Sequence, residues 1–217
     1  MEITFKLLTY IGLLGFILGF VVNKTNFCTM GAISDWVNIG DLSRFKSWMF
    51  AAAIAILGVS LFEYLNFIDA SQSRIPYRSS ILFWPRYILG GLMFGFGMTY
   101  ASGCGNKILI RVGGGNIKSL FVLIVAGLMA YLMTRTDFYG LVFHSWMSPI
   151  SPDLAKLGIE DQSLPIILAF FFSSFDVEIL KLIVGLLIAS IMIFQIFKSG
   201  VFLKNIDNVL SGITVGT

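Results

Sequence analysis

The chain carries only two cysteines, Cys28 and Cys104, and both stand in the same surroundings. Gly15-Phe-Ile-Leu-Gly-Phe20 is followed eight residues on by Cys28, and Gly91-Leu-Met-Phe-Gly-Phe96 eight residues on by Cys104. The Gly-x-x-x-Gly-Phe pattern and the cysteine therefore coincide at an offset of 76. A thiol is a small, weakly polar donor, cheaper to keep in a dry constriction than Lys or Arg. It can donate S–H to an oxygen or a polarizable sulfur without holding it tightly, and conduction needs that weakness. Two such thiols in series make stepping stones for a soft, sulfur-bearing anion. Alternatively, their thiolates exchange with disulfide or persulfide sulfur.

The segments around the cysteines, Asn23-Lys-Thr-Asn-Phe-Cys-Thr-Met-Gly-Ala32 and Thr99-Tyr-Ala-Ser-Gly-Cys-Gly-Asn-Lys107, are rich in small polar residues and glycine. Their composition predicts breaks in the apolar helices they continue. Irregular backbone at membrane depth is tolerated only where protein buries it or a polar cavity lines it. Broken helices at corresponding positions of two repeats point to a transport site. A half-helix restarting at either break would aim free N–H groups and a positive dipole end at one spot, which suits a small anion.

The elements that must position these segments follow from composition. Of 217 residues, 57% are hydrophobic and 12% charged, and the mean hydropathy is +0.87. That charge content is about half the usual share and is too small to cover a soluble surface. Disorder is excluded by the same figures. The net charge of +3 is scattered, which gives nucleic-acid binding no support. One His and two Cys leave no room for a self-contained zinc site or a disulfide framework, and no cofactor is implied. The expected fold is an all-α integral membrane protein.

Charge-free windows cover residues 7–23, 47–62, 87–106, 119–134, 138–152, 162–175, 182–197 and 208–217. A spanning helix needs ~20 apolar residues. The first and third windows reach that length unaided, and three others reach it with interfacial Lys46, Arg135 and Lys198. The windows 138–152 and 162–175 are interrupted by Pro149, Pro152 and Pro165 and read as re-entrant, interfacial or broken pieces. About six transmembrane helices result. Trp36, Trp48, Trp84, Trp146, Tyr64, Tyr77 and Tyr87 fall near helix ends, as interfacial anchors do. Lys24, Arg44, Lys46, Lys107, Arg111 and Lys118 on alternate links are balanced by Arg74, Arg78 and Arg86, so orientation stays open. No cleavage site ends the first apolar run. Residues 208–217 read as the first half of a further span, to be covered by a partner or continued by more chain.

Lys46-Ser47 and Lys118-Ser119 recur at an offset of 72 and extend the repeat. The reading is one transmembrane domain over 1–217. Its first helix–re-entrant loop–helix unit covers about 5–65, its second about 81–134, and further helices fill 135–217. Gly15/Gly19 and Gly91/Gly95 are expected to be helix-packing faces. Gly113-Gly114-Gly115 follows no strand and reads as a turn rather than a phosphate loop. His144 reads as an interfacial residue rather than a proton relay. Asp35 and Asp41 read as caps or loop charges. Lys24, Lys107 and Arg111 either guide an anion or are plain interfacial charges.

The two cysteine segments carry a family resemblance. Asn23 to Asp35 resembles the first signature of the YeeE/YedE sulphur-transport family of bacterial inner-membrane proteins, and Gly90 to Gly105 resembles the second. The likeness runs from about residue 10 to residue 134 and more loosely from Asn208. It implies a permease for thiosulfate or another reduced sulfur or selenium species. The implied fold is all-helical, with short broken elements forming a cysteine-lined waist, and a small TusA-like sulfur-carrier protein often works on the cytoplasmic side. Cys28 and Cys104 would be the path-lining thiols, with Asn26, Thr29, Ser102 and Asn106 as polar neighbours. Family members are typically longer, with a further half holding additional cysteine motifs, so this chain is expected to be the N-terminal part of a transporter or to pair with a second chain. The rival readings are a membrane thiol redox protein and a structural subunit of another pore.

Overall fold

The computed structural model describes residues 2–68, 80–159, 162–171, 177–198, 202 and 205–217. Arg74, Tyr77 and Arg78 lie outside the described residues. The described chain is helical, and its only β pairing is an isolated bridge between Ile81 and Asp153. A lipid core offers backbone groups no solvent, so an apolar run must satisfy its N–H and C=O groups within itself, and a helix does this.

Helix α1 (Glu2–Thr25) is followed after a short break by α2 (Thr29–Ile39). Gly40, at φ 75°, turns its N–H back to the Trp36 carbonyl at 3.1 Å and ends α2. This left-handed conformation is one that glycine adopts without penalty. Asp41 then prepares α3 (Ser43–Tyr64): its carboxylate accepts from the Ser43 N–H at 2.9 Å and from the Ser43 hydroxyl at 2.6 Å. Helix α4 (Trp84–Tyr100) opens on Trp84-Pro85, where a missing N–H costs nothing. A second break leads to α5 (Gly105–Gly113). The glycine run is a turn, with Gly115 at φ 85°, and Asn116 caps α6 (Ile117–Arg135) by accepting from the Ser119 N–H at 3.1 Å.

The stretch expected to be irregular consists of short pieces: a π-turn at Gly140–His144, α7 (Ser145–Met147) and 3-10 turns at Ser148–Ile150 and Leu154–Leu157. Pro149 and Pro152 deprive this region of N–H donors. Helices α8 (Leu164–Phe171), α9 (Val177–Phe197) and α10 (Ile206–Gly216) follow.

Among the described residues, four stretches are long and apolar enough to cross a membrane: Thr4–Ile39, Ser43–Tyr64, Ile117–Arg135 and Val177–Phe197. Helix α4, at 17 residues, sits at the lower end of spanning length. Large apolar side chains such as Phe5, Phe16 and Leu141 are exposed, as lipid solvation requires. This is a multi-pass membrane protein.

The chain divides into two compact units. The first contains residues 1–55, 98–123 and 190–217. Its core has Val22, Phe27 and Ala51 packed with Ile110 and Val215, and a second cluster of Phe50, Ile196 and Phe202. The second contains residues 56–97 and 124–189. There Glu63 pairs with Lys181 at 3.1 Å, and the Arg86 guanidinium lies 4.5 Å from the Phe83 ring centre and 4.9 Å from that of Tyr139. His144 is exposed beside the same two rings.

The close-packing glycines are not the expected ones. Among the described residues, no atom lies within 4 Å of where a Cβ would stand on Gly15, Gly19, Gly91 or Gly95. Tight approaches occur instead at Gly185, where a Cβ would run into Ser60, and at α10, where a Cβ on Gly212 would meet Phe50 Cδ1 at 2.6 Å and one on Gly216 the Ala51 carbonyl oxygen at 2.6 Å. Residues 208–217, read as an unfinished span, thus form a helix packed into the first unit, with Asn208, Ser211 and Gly212 buried.

Two outcomes follow for stability. Gly216→Leu forces α10 off a rigid backbone atom and should cost about 1–3 kcal/mol, whereas Gly15→Ala should be neutral or stabilising by up to about 1 kcal/mol; thermal unfolding in detergent distinguishes them. Both Ser43 bonds hold the Asp41 carboxyl below the usual carboxylate range. A depressed folded-state value means the stabilisation is present at neutral pH and is lost as pH falls through that value. Asp41→Ala should therefore cost about 1 kcal/mol at neutral pH and nothing in strong acid, as read from unfolding midpoints across pH.

Candidate functional site

Both breaks are built the same way. At the end of α1, Asn26 adopts φ 51° and its N–H bonds the Asn23 carbonyl at 3.3 Å, while the Phe27 N–H bonds the Val22 carbonyl at 3.2 Å. At the end of α4, Ser102 adopts φ 57°, its N–H bonds the Thr99 carbonyl at 3.1 Å, and the Gly103 N–H bonds the Met98 carbonyl at 3.1 Å. This pair of bonds, with a left-handed residue between them, satisfies carbonyls that a stopped helix would orphan. Two residues on, Cys28 and Cys104 are extended, and each carbonyl accepts the first bond of the next helix, from Ala32 at 2.9 Å and from Ile108 at 3.0 Å. Every one of these residues has its counterpart 76 positions away.

The breaks are narrower than composition predicts. Asn23, Lys24 and Thr25 remain helical, and the Thr25 hydroxyl donates to the Val21 carbonyl at 2.8 Å within α1. Thr29 and Asn106 already belong to the restarting helices.

The two thiols meet. Cys28 Sγ and Cys104 Sγ are 3.2 Å apart, with either able to donate, and both cysteines are free and buried, at 5% and 7% exposure. Cys28 Sγ also accepts from the Gly31 N–H at 3.5 Å and so caps α2, while Cys104 makes no side-chain cap bond to α5. Sulfur is a weak acceptor, so the first amides of both helices are under-satisfied compared with those behind a Ser or Asp cap. Among the other expected residues, Asn26 and Ser102 are exposed and shape the breaks through their backbones, and Thr29 is half-buried next to Cys28. Asn106 is exposed and lines an open groove of about 340 Å³ with Gly15, Gly19 and Val22. Arg111, a candidate guide for anions, donates to the Ser102 carbonyl at 2.9 Å.

Beside Cys28 lies a small cavity of about 10 Å³, room for roughly one water, with Phe27 and Trp48 on its apolar side. Thr25, Cys28, Arg44, Ser47, Asn208 and Ser211 contribute to its wall. Ser47, Asn208 and Ser211 are among the few buried polar residues of the described chain, at 2%, 6% and 1% exposure. Arg44 supplies the cation and is tied to Asp35 at 3.2 Å. Asp35 is thus the partner of an arginine rather than a helix cap. Sequence reasoning took Arg44 as a link charge, Ser47 as a marker of the repeat and Asn208 as the start of a further span, and gave none of them, nor Ser211, a place in the site. The spacing of Asn208, Ser211 and Gly212, polar or small at i, i+3 and i+4 of an apolar run, was the available signal.

Residues 24–206 match the family model described as Sulphur transport. The chain belongs to that family. The matched span includes both cysteine breaks of this sulphur-transport protein and stops just before Asn208. A thiosulfate transporter, TsuA, of Spirochaeta thermophila is 26% identical over 151 residues, which are 70% of this chain and 42% of the relative. The Escherichia coli K12 protein of the same name is 27% identical over 127 residues, 58% of this chain and 34% of the relative. The chain therefore aligns with less than half the length of these curated relatives.

The cavity makes a charge-dependent prediction for thiol chemistry. In a Cys104→Ser background, Cys28 should react faster with an anionic methanethiosulfonate reagent than a neutral wall would allow. Arg44→Gln should lower the anionic-to-cationic rate ratio about fivefold, equivalent to about 1 kcal/mol of ion pairing; an unchanged ratio would place the guanidinium's field elsewhere.

Proposed function

We propose that this chain forms part of a permease for thiosulfate or a closely related reduced sulfur anion, in a bacterial inner membrane. The observation that carries the reading is the contact between two buried thiols, each at a helix restart of the same construction. Family membership and the names of both relatives support the substrate class. The matched backbone bonds support reading 5–65 and 81–134 as two copies of one helix–re-entrant loop–helix unit, within a domain of about six spans. The short alignment to its relatives supports a further half, in the same protein or in a second chain, and a TusA-like carrier would receive sulfur on the cytoplasmic side.

The chemistry follows from the weakness of the thiol contact. An S–H···S bond is easily exchanged, so an anion bearing a terminal sulfur or oxygen takes the place of one thiol as acceptor at little cost. The under-capped amides of α2 and α5 and the dipoles behind them oppose the cost of bringing negative charge out of water. Asn26, Thr29, Ser102 and Asn106 flank the thiols as polar lining. Arg44 draws the anion toward Cys28, and its bond to Asp35 keeps the guanidinium from holding that anion permanently. The anion then passes from one thiol to the other without lasting covalent chemistry.

Uptake of sulfur-labelled thiosulfate tests this, in cells stripped of their own sulfur-anion importers. Cys28→Ala and Cys104→Ala should each lower uptake at least about tenfold, about 1.4 kcal/mol in the barrier, with membrane insertion intact. Serine at either position should recover part of the rate, because it restores a donor. Normal uptake by a correctly inserted alanine variant removes that thiol from the path.

A further inference from the structure

The thiol pair has a second chemical capacity that transport does not use. Two free sulfurs at 3.2 Å, both buried, need only about 1 Å of further approach to reach disulfide bonding distance. Neither cysteine is inside a helix: Cys28 and Cys104 are extended residues between a helix end and a helix start, where side-chain rotation does not require breaking a ladder of helical bonds. The surroundings decide which oxidant reaches them. The adjoining cavity admits about one water, and its cation is Arg44. The Arg44 charge favours a sulfur oxyanion, which also resembles the proposed cargo, over a neutral thiol-disulfide couple.

We propose that the Cys28–Cys104 pair is a two-electron redox site for polythionates, the oxidised relatives of thiosulfate, and that tetrathionate closes it. The proposal rests on the reading that a thiosulfate-like anion reaches these thiols. One cysteine, as thiolate, attacks an inner sulfur of tetrathionate and breaks the central S–S bond. A Cys-Sγ–S–SO3⁻ adduct forms, carrying both sulfurs of the retained half, one thiosulfate leaves, and the thiol proton goes to solvent. The second cysteine then attacks the sulfur of the first, a second thiosulfate departs, and a second proton is released. In sum, two thiols and one tetrathionate give one disulfide, two thiosulfates and two protons: the cysteines lose two electrons and the tetrathionate gains them. The second step demands a neighbouring thiol, and the observed contact supplies it. Closure takes both S–H donors off the path, so oxidised sulfur outside the cell shuts its own reduced form out until a reductant reopens the pair.

The test uses the full chain, purified into lipid nanodiscs for chemistry and expressed in cells for uptake. With tetrathionate, the wild type should release two thiosulfates per protein, lose two hydrogens in intact mass and have no alkylatable thiol. Dithiothreitol should restore both thiols. Cys28→Ser and Cys104→Ser should each release a single thiosulfate and retain the sulfur adduct. In cells, pretreatment should abolish wild-type uptake reversibly. Wild-type protein whose thiols stay free, or which stops at adducts without a disulfide, overturns the proposal. Absence of uptake before any oxidant is added overturns transport by this chain on its own instead, and the nanodisc stoichiometry still decides the redox site.

Discussion

A main chain that stops being helical inside a bilayer leaves carbonyls and amides with no water to turn to, at several kcal/mol for each unsatisfied group by order of magnitude. Everything notable in this protein is arranged around two such interruptions. Asn26 and Ser102 take the left-handed conformation, which closes the carbonyl end of α1 and of α4 by backbone bonds alone. The amide end is treated differently. Where a soluble protein would place Ser or Asp, this chain places cysteine, which satisfies little. The residual donor capacity of α2 and α5 stays available at the one place where the two breaks meet.

That economy explains the rest of the first unit. On the proposed reading an anion must reach these buried thiols, which asks for a neighbourhood polar enough for an anion and tight enough to exclude bulk water. Helix α10 meets both demands: Gly212 and Gly216 bring its backbone against α3, and the same approach turns Asn208 and Ser211 toward Cys28. Arg44 enters from the start of α3 and is held by Asp35 from α2. If an anion passes here as proposed, a free arginine would bind it too firmly and none at all would leave the cavity without attraction; the ion pair lies between those limits.

Much of this was legible in the sequence, and the remainder was hidden for identifiable reasons. The equivalence of Cys28 and Cys104 followed from one offset, and the scarcity of charge fixed a helical membrane fold. The direct contact of the thiols did not follow, since spacing along a chain says nothing about whether two breaks lie at the same level; stepping stones in series was the natural expectation. The breaks looked longer than they are because Thr25 is a poor helix former that nonetheless bonds back to Val21 and stays helical. The Asp35–Arg44 pair spans a turn whose direction is set by Gly40 at φ 75°, a geometry no charge pattern encodes. Asn208 and Ser211 were missed because an apolar run near the end of a chain was read for its length rather than for its polar face.

The open glycines of α1 leave that helix in an unusual mechanical position. Gly12, Gly15 and Gly19 each lower helix propensity by roughly 1 kcal/mol relative to alanine, and no described atom of the chain stands close enough to a Cβ site there to gain from their smallness. In water such a segment would fray. Its straightness is therefore imposed by the medium, which penalises every peptide bond that opens, more than by its own side chains. The part of the first helix that holds these glycines is a soft rod stiffened by the oil around it, and local lipid thinning or hydration would loosen it well before its end, where Val22 packs with Val215 of α10.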